Sequence, residues 1–423
     1  MKTTLKTLTA LTLSTMASAP VLATNGDNLI GIGPTSRSMG GVGVAAPQDA
    51  IGAVFQNPAA MCFGPYCPAA EFDFAGTLFM PHISAQVDGV SVDSHATTYA
   101  IPAIGLSIPI QDSQQWRFGL AAYGVSGLGV DYRGTALDNP RGFDFGGGTF
   151  APLVAGEFTS LQIMKFAPSI AYQPLPNLSF GLALHIDYAT LDLGRGTSTG
   201  YGIGIQPGIV YQPARNISIG LAYVSSQPVD HRRVTDFEGD GTLDTLTLES
   251  PQQVDVGVAY EVIEDRLLIE ADGRWINWGG ADGYKDFGWK DQWVAGFGAQ
   301  YAAIKKKLFL RAGYNFGENP VKSHSGWNGA FGPGMTFDSV QGHNIPTYYF
   351  ETFRIVGFPA VVEHHATVGV GYEFSKAFAV NAGYMHAFEA AITEQGTDPF
   401  GRPTTLKSTL SEDSVEVGLT WRF

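Results

Sequence analysis

The chain has 423 residues, a net charge of −14 and a mean hydropathy of +0.03. Charged residues make up only 15%, below the roughly 25% of soluble globular proteins, whereas glycine reaches 53 residues and aromatic residues 12%. The negative charge argues against nucleic acid as a partner, and the absence of 18 consecutive apolar residues after position 23 argues against a helical membrane span.

The N-terminus has the form of an export signal. Lys2 and Lys6 precede a moderately apolar stretch. Val21 and Ala23 then stand at the −3 and −1 positions of a small-residue cleavage site. The sequence therefore predicts a signal peptide over residues 1–23, whose removal would take the net charge from −14 to −16 through the loss of the two lysines.

The segment 24–68 has no regular hydrophobic period. Glycines and prolines interrupt it throughout, yet it carries apolar side chains such as Val42, Ile51, Val54 and Phe55. A disordered tail would be polar and poor in apolar residues. We therefore expect this segment to be compact, irregular and buried.

Cys62 and Cys67 are the two cysteines of the chain. Export would place them in an oxidising compartment, where closely spaced cysteines form disulfides. Their spacing differs from the C-x-x-C arrangement of many redox-active pairs. The sequence predicts a structural disulfide between them, and a redox-active pair is the alternative.

From residue 69 onward, apolar residues alternate with polar or small ones. Near the C-terminus, Val415, Val417, Leu419, Trp421 and Phe423 share one face of a strand, because successive side chains point to opposite sides. Fourteen segments alternate in this way, and each is at least as long as the roughly 9–11 residues that a membrane strand needs. They lie near residues 69–80, 97–109, 115–124, 159–174, 177–190, 200–213, 216–227, 247–262, 266–277, 291–303, 307–317, 361–375, 377–388 and 410–423.

The connections between these segments alternate between short and long. Short turns occur at residues 174–177, 213–216, 263–265, 304–306 and 375–376. Longer loops occur at residues 125–158, 191–199, 228–246, 278–290, 318–360 and 389–409. Outer-membrane barrels have short periplasmic turns and longer outer loops. The sequence therefore predicts an all-β fold, a 14-stranded antiparallel transmembrane β-barrel over residues 69–423 in the bacterial outer membrane.

Tyrosine and tryptophan residues near the ends of the segments support this orientation. Segments that run toward the short turns end in Tyr172, Tyr211, Tyr260, Tyr301, Tyr372 and Trp421. Segments that run toward the long loops carry Tyr123, Tyr188, Tyr223, Trp275, Tyr314 and Tyr384 near their far ends. Such aromatic side chains gather at the two membrane interfaces, so we expect two aromatic girdles.

The predicted barrel gives the segment 24–68 a place. It precedes the first strand and so begins on the periplasmic side. Because it is rich in apolar residues, we expect it to fold into the lumen as an N-terminal hatch. A small periplasmic cap outside the barrel is the alternative.

Several charged residues fall on the face that would line the lumen. They are Glu270, Asp272, Arg274, Arg311, Glu373, Glu416 and Arg422. Charge inside a barrel is tolerated where water or partner charges exist. One interpretation is an ion-paired scaffold between wall and hatch, and the other is that Arg274 or Arg311 pairs with a ligand carboxylate.

The acidic segment 236–244 has carboxylates at the first, third, fifth and ninth positions of an EF-hand-like loop, with glycine at the sixth. These are Asp236, Glu238, Asp240 and Asp244. The bidentate glutamate expected at the twelfth position is missing, because Thr247 stands there. A solvated acidic loop is the favoured interpretation, and a structural Ca²⁺ site is the alternative.

Part of the N-terminal segment resembles a known family. The stretch Ser38–Ala45, the pair Asp49-Ala50 and the tripeptide Asn57-Pro58-Ala59 resemble the N-terminal hatch of the FadL/TodX/OmpP1 outer-membrane transporters. Arg311–Asn315 resembles a strand of the same family. The resemblance implies passive uptake of hydrophobic small molecules, such as long-chain fatty acids or aromatic hydrocarbons, with Asn57, Pro58 and Ala59 taking part in gating.

The resemblance also implies a route. Ligand would be captured at the outer loops and released by hatch movement toward a gap in the wall, beside a kink in the third strand. Gly124, Gly127 and Gly129 follow the predicted third strand. Glycines mark bulges or bends, so these three indicate either that kink or an ordinary loop start.

Loop 318–360 is unusually aromatic for an outer loop. It suggests a capture surface for hydrophobic ligand, formed by Trp327, Phe331, Phe350 and Phe353. These side chains could instead pack among themselves as a lid.

The chain carries no H-E-x-x-H, G-x-S-x-G or P-loop motif, so we expect a transporter and not an enzyme. We further expect a monomer without a cofactor, in contact with outer-membrane lipid and a hydrophobic ligand. A structural or adhesion barrel without transport is the alternative.

Overall fold

The structure, a computed structural model, describes residues 24–64, 67, 69–110 and 115–423. The predicted signal peptide, residues 1–23, lies outside the described residues. The helices are short: Gly33–Ser38, Ala50–Gln56, a 3-10 helix Pro58–Cys62, Thr347–Thr352 and a π-helical turn Phe353–Gly357. No helix within the described ranges is long and apolar enough to cross a membrane.

In the described part of the chain, fourteen strands form one closed antiparallel barrel. They are β1 (Glu71–Val87), β2 (Tyr99–Pro109), β3 (Trp116–Asp131), β4 (Phe158–Leu175), β5 (Leu178–Asp192), β6 (Ser198–Ala214), β7 (Ile217–Val224), β8 (Gln253–Ile263), β9 (Leu267–Ile276), β10 (Gln292–Ile304), β11 (Leu308–Gly317), β12 (His364–Ser375), β13 (Phe378–Thr397) and β14 (Pro403–Arg422). Each pairs with its neighbours in the chain, and β14 closes the ring on β1, from Arg422 opposite Glu71 to Leu406 opposite Val87. The predicted 14-stranded antiparallel barrel is confirmed.

The two faces of the wall have opposite character. On β5, Leu182 and Leu184 point outward and are 46% and 42% exposed, while Ala183 and His185 between them are buried. The same alternation runs around the ring. An outer belt of exposed apolar side chains is what a lipid-facing barrel wall requires and what a water-soluble protein avoids.

Tyr123 corrects the predicted outer girdle. It is fully buried, whereas Trp116 on the same strand is 39% exposed. The two are seven positions apart, an odd number, so they lie on opposite faces of β3. Tyr123 therefore faces the lumen and does not belong to an interface ring.

Several strands extend further than predicted. β3 continues to Asp131, and β13 and β14 stay paired up to Thr397 opposite Pro403, so most of the predicted loop 389–409 is strand. Outside the membrane both faces of a strand meet water, so the one-sided apolar pattern that predicts strand length is lost there.

The outer loops contain further short strands. The predicted loop 228–246 is largely a hairpin, in which Gln227–Thr235 pairs with Asp244–Ser250. Val90–Asp93 adds to β1, and three more two-stranded pairs occur in the described chain. These are Thr24–Asn25 with Asn28–Leu29, Phe143–Asp144 with Phe150–Ala151, and Phe337–Val340 with His343–Pro346.

The N-terminal segment contacts opposite sides of the wall. Its helix Gly33–Ser38 packs on β12, β13 and β14, while helix Ala50–Gln56 packs on β2 and β3. The 3-10 helix Pro58–Cys62 reaches β4, β5 and β6. The described part of the segment thus extends from one side of the barrel wall to the other. This placement sets the geometry of the site described next.

Candidate functional site

Glycines on the inner wall allow the N-terminal segment to lie directly against the strand backbone. A Cβ added to Gly220 would overlap the carbonyl oxygen of Val44, and one at Gly208 would overlap the side chain of Asn57. Gly181 stands in the same relation to the backbone at Ala59. These wall glycines act by having no side chain, which leaves room for the segment.

Two carboxylates on β9 bind backbone amides of the N-terminal segment. Asp272 Oδ2 accepts from the amides of Gly43 and Val44 at 2.9 and 3.2 Å. Glu270 Oε1 accepts from the amides of Ala45 and Ala46 at 2.8 and 3.1 Å. The irregular backbone of this stretch makes no helix or sheet ladder, so the wall satisfies its buried donors.

A second carboxylate group lies at the start of helix Ala50–Gln56. The Ala50 amide donates to Glu71 Oε1 at 3.0 Å and to Asp73 Oδ2 at 2.8 Å, both on β1. Asp49 caps the same helix by accepting from the Gly52 amide at 2.7 Å. Negative charge is favoured at a helix N-terminus, so β1 holds this helix by its first turn.

Buried ion pairs complete the attachment. Arg37 pairs with Glu416 on β14 and donates to Ser414 Oγ at 3.0 Å. Arg274 on β9 pairs with Asp255 and donates to Gln56 Oε1 at 2.9 Å. The inward charges therefore act as a scaffold between wall and segment. Nε and Nη2 of Arg274 are thus both engaged by protein partners.

Arg311 differs from Arg274 because its partners are neutral. It donates to Gln300 Oε1 at 2.7 Å and to Asn381 Oδ1 at 2.8 Å. It faces a cavity of about 890 Å³ at the periplasmic end of the barrel, with both polar and apolar lining, which the charged side chains Arg215, Arg266 and Lys307 also line. This periplasmic vestibule lies below the N-terminal segment.

Asn57 connects two parts of the segment with the wall. Its Nδ2 donates to the carbonyl oxygen of Val44 at 2.9 Å and to those of Ile209 and Leu221 at 3.1 and 3.4 Å. Its Oδ1 accepts from the Ala59 amide at 3.1 Å and so caps the 3-10 helix that Pro58 begins. The Asn57-Pro58-Ala59 motif thus holds the segment against β6 and β7.

We expect Asn57→Ala to loosen this attachment. The change leaves buried carbonyl and amide groups without partners, which should destabilise the seated segment by about 2–4 kcal/mol. Hydrogen–deuterium exchange over residues 40–62 measures the opening, with the exposed Asn344→Ala as control. Equal protection in both variants would contradict this role.

An apolar cavity lies at the outer end of the lumen. Its volume is small, about 20 Å³, and its lining is almost entirely apolar. The lining residues are Leu161, Leu246, Leu248, Tyr284, Phe287, Trp289, Arg354 and Phe358. We call this the outer cavity. Most of its lining residues come from loop 278–290 and hairpin 227–250. Neither segment was predicted to bind ligand. The many aromatic residues of loop 278–290 were a signal that could have indicated it.

Arg354 is the one charged residue among the described residues of that lining, and each of its three guanidinium nitrogens donates to a protein partner. It pairs with Glu394, donates from Nε to Glu351 at 2.9 Å and donates from Nη1 to the Lys322 carbonyl at 2.7 Å. The guanidinium therefore holds the outer loops together. Its charge is balanced by Glu351 and Glu394, so the outer cavity contains no unpaired charge from Arg354.

A second cavity, of about 50 Å³, lies between the N-terminal segment and the wall. Leu29, Ile32 and Phe55 of the segment line it together with Tyr123 and Val125 of β3. We call this the lumen cavity. Its other basic lining residues besides Arg274 are His185, bonded to Gln206 at 3.0 Å, and Lys165, paired with Asp187 at 2.9 Å.

The wall is interrupted beside the lumen cavity. The ladder between β2 and β3 ends at Ala103 opposite Tyr123, while β3 continues to Asp131 paired with β4. At this point a β-bulge sets Gly124 and Ser126 opposite successive residues of β4, so Val125 is the extra residue. We call the stretch without ladder pairing, between Tyr99–Pro102 and Gly124–Val130, the wall gap. Beyond it, the His95 amide donates to the Asp131 carbonyl at 2.7 Å. The irregularity thus lies inside β3. Gly124, Gly127 and Gly129 therefore do not mark an ordinary loop start.

The predicted capture residues lie in the outer loops but do not form an open surface. Trp327 and Phe350 are buried. Phe353 packs on Phe287 with ring centroids 5.1 Å apart, and Phe331 stacks on Phe145 at 5.7 Å. These side chains therefore pack within the loop layer, in part against other outer loops. Phe350 and Phe353 form the layer behind the outer cavity through Phe287.

The acidic segment satisfies its own backbone. Asp236 accepts from the amides of Gly239, Asp240 and Gly241, and Asp244 accepts from the amide of Phe237 at 2.9 Å. No group of three or more metal-ligating side chains converges in the parts of the chain that are described. The structure therefore does not bring Asp236, Glu238, Asp240 and Asp244 together as a cation site.

Both cysteines are free thiols, so the predicted disulfide is not present between these two described residues. Cys62 is buried on the 3-10 helix, and Cys67 Sγ donates to the Met61 carbonyl at 3.0 Å. A disulfide needs matching side-chain directions as well as proximity. Spacing along the chain cannot supply that information.

We expect these thiols to react slowly. Burial raises the pKa of the Cys67 thiol to about 11 and that of Cys62 above its usual value. At pH 8 a pKa of 11 leaves about 0.1% thiolate, against roughly a quarter for an ordinary thiol. Maleimide should label Cys67 in the folded protein about a hundredfold more slowly than in urea, without added reductant. Absence of labelling in urea until a reductant is added would instead demonstrate the disulfide.

The sequence matches the family model of the outer membrane transport proteins OMPP1/FadL/TodX over residues 10–200. The toluene transporter TodX of Pseudomonas putida is 18% identical, with a TM-score of 0.65 over 93% of this chain and 99% of that chain. The toluene transporter TbuX of Ralstonia pickettii is 18% identical, with a TM-score of 0.64 over 94% and 99%. A FadL homologue of Pseudomonas aeruginosa is 15% identical, with a TM-score of 0.64 over 96% and 99%. No curated protein matches the sequence significantly.

At such identities the solved structures establish the fold alone, a closed β-barrel. The family model adds evidence from the sequence itself, over the part that includes Asn57-Pro58-Ala59. The predicted resemblance to the FadL/TodX/OmpP1 family is therefore confirmed, in sequence over residues 10–200 and in fold over nearly the whole chain.

Proposed function

We propose that this barrel carries neutral hydrophobic small molecules passively across the outer membrane and releases them through the wall gap. The observation that carries this proposal is the position of the gap. It lies next to the lumen cavity, on the outer side of a segment that fills the lumen. A ligand that enters from the outer loops meets this gap before it meets the periplasm.

The axial route is unfavourable for an apolar ligand. The N-terminal segment fills the barrel below the lumen cavity, and the periplasmic vestibule beneath it is lined by charged side chains such as Arg215, Arg266 and Lys307. A vestibule lined in part by charged side chains removes less apolar surface of the ligand from water than the lipid beyond the gap, which offers about 25 cal/mol for each Å² removed. The lateral exit is therefore the energetically favoured one.

The charges in the two upper cavities favour a neutral ligand over a carboxylate. Lys165, Arg274 and Arg354 are the Lys and Arg side chains that line them in the described chain, and each is paired with a carboxylate of the protein. A fatty acid head group would have to break one of these buried pairs, which costs about 3–5 kcal/mol. A hydrocarbon such as toluene makes no such demand.

In this proposal residues 24–68 are a hatch in a barrel of residues 69–423, and Asn57, Pro58 and Ala59 fix its resting position. The outer cavity, at about 20 Å³, is smaller than any hydrocarbon. Ligand entry must therefore move aromatic side chains of the outer loops. The transport is diffusion down a gradient and needs no catalytic group or cofactor.

The comparisons favour this function over a structural or adhesion barrel. TodX and TbuX are described as toluene transporters, and both share the fold over almost their full length. In addition, the outer loops of this chain bury Trp327 and Phe350. An adhesin would need such side chains on its outer surface, where a partner could reach them.

Ligand binding can be followed by the fluorescence of Trp289, which lines the outer cavity. Toluene should change the emission of the purified protein with saturation, and oleate should do so at least about tenfold more weakly because of the cost of breaking an ion pair. Trp289→Phe should remove the change, and the lipid-facing Trp293→Phe should retain it. Tighter binding of oleate than of toluene would overturn the neutral-ligand assignment.

A further inference from the structure

Asp27 lies at the tip of a tight hairpin at the start of the hatch. Thr24 pairs with Leu29 and Asn25 with Asn28, which leaves Gly26 and Asp27 as the turn. Gly26 has a φ of +63°, and a Cβ there would lie 2.9 Å from Trp278 Nε1, so the turn fits closely under the outer-loop tryptophans. Asp27 itself is only 3% exposed.

The two oxygens of this carboxylate accept hydrogen bonds from two different parts of the barrel, strand β3 and outer loop 278–290. Oδ1 accepts from Ser126 Oγ at 2.6 Å, and Ser126 follows the bulged Val125 at the wall gap. Oδ2 accepts from the Tyr284 hydroxyl at 2.5 Å, and Tyr284 lines the outer cavity. One carboxylate thus joins the cavity where ligand would bind to the strand beside its exit.

Tyr284 cannot keep its position when a ligand enters. Its ring packs against Trp278 and Trp289, with centroids 4.5 and 4.8 Å away, and these two rings also contact each other at 5.0 Å. The cavity beside this cluster is too small for toluene. Because Tyr284 and Trp289 both line this cavity, movement of their rings would make space for a ligand. Rotation of Tyr284 removes its hydroxyl from Asp27.

Loss of that hydroxyl changes the hold of Asp27 on Ser126. No ion pair to a described residue compensates Asp27, so two hydroxyl groups carry its solvation, and burial raises its pKa to about 6. A buried carboxylate that loses one of two partners is destabilised by about 1–3 kcal/mol or more. Movement of the turn toward water then restores solvation of the Asp27 carboxylate. This movement breaks its hydrogen bond to Ser126.

We propose that Asp27 is a positioning residue that couples occupancy of the outer cavity to opening of the wall gap. With the cavity empty, Asp27 holds Ser126 and keeps the bulge of β3 inward. With ligand present, displacement of Tyr284 releases Asp27, and Asp27 releases Ser126. This latch rests on the proposed lateral exit of a neutral hydrophobic ligand.

The test uses the full-length protein in detergent with Val125→Cys as a reporter of the gap, in a background where Cys62→Ser and Cys67→Ser remove the native thiols. Val125 is 7% exposed, so maleimide labelling should be slow at rest. Toluene should accelerate labelling at least about fivefold. Tyr284→Phe and Ser126→Ala, which each remove one hydroxyl of the latch, should raise the resting rate to the toluene-stimulated level and abolish the toluene response.

Unchanged resting rates in both hydroxyl variants, or equal toluene responses in parent and variants, would overturn the latch. If Tyr284 had only a structural role, Ser126→Ala would leave the resting labelling rate unchanged, because Ser126 binds the other oxygen of Asp27. Altered mobility of the unheated protein on a denaturing gel reports that each barrel is folded. Toluene uptake by the parent is measured separately. Absence of uptake by the parent would refute the transport function. Labelling of the parent that does not respond to toluene, together with normal uptake, would refute the latch alone.

Discussion

Deletion of Val125 is expected to reduce toluene uptake by at least about tenfold while the barrel still folds. Val125 is the extra residue of the bulge, since Gly124 faces Met164 and Ser126 faces Ile163. Its removal joins these pairs into one continuous ladder and leaves every later pair of β3 and β4 unchanged. The straightened strand can then pair with β2 and close the wall gap.

Rates of uptake in cells expressing equal amounts of each barrel measure the effect. Val125→Ala is the matched control, because it shortens the same side chain and keeps the bulge. We expect its uptake to stay within about twofold of the parent. Normal uptake after the deletion would show that ligand does not leave through the β2–β3 wall.

Gly220→Val is expected to unseat the hatch. Gly220 lies on the inner face of β7 beneath the carbonyl oxygen of Val44, and even one added carbon would overlap that backbone. Overpacking against a rigid neighbour costs about 1–3 kcal/mol, which lowers the seated population roughly 5- to 150-fold relative to the open one. Ions should then pass through a lumen that the hatch normally fills.

Conductance of the purified protein in planar bilayers measures this opening. Gly273→Val is the control, because Gly273 lies on the lipid-facing side of β9 with open space around it, and a β-branched residue suits such a position. We expect frequent conducting events for Gly220→Val and few for Gly273→Val and the parent. A closed Gly220→Val barrel would mean that the hatch adjusts to the wall without losing its seat.

Much of the fold was predictable because a membrane barrel repeats one physical rule on every strand. The lipid selects apolar side chains at every second position, as in Val415, Val417 and Trp421, so strand number and direction follow from alternation and loop length. Strand ends were predicted less well, because beyond the membrane both faces meet water. Tyr123 shows the same limit: its residue type suits an interface, and only its parity in β3 assigns it to the lumen.

The candidate site was less predictable because it depends on contacts between distant segments. The motif Asn57-Pro58-Ala59 was recognisable, yet its partners at Ile209 and Leu221 are more than 150 residues away. The latch of Asp27 with Ser126 and Tyr284 has no local signature at all. Cys62 and Cys67 were predicted to form a disulfide because they are close in sequence, whereas the direction of each side chain depends on the hatch packing around it.

The most direct test of the account is uptake of labelled toluene and oleate by cells that carry the gene, lack it, or carry the Val125 deletion. We predict that toluene uptake falls when the gene is lost and returns with the intact gene but not with the deletion variant, while oleate uptake is the same in all three. Equal toluene uptake with and without the gene would contradict the proposed transport.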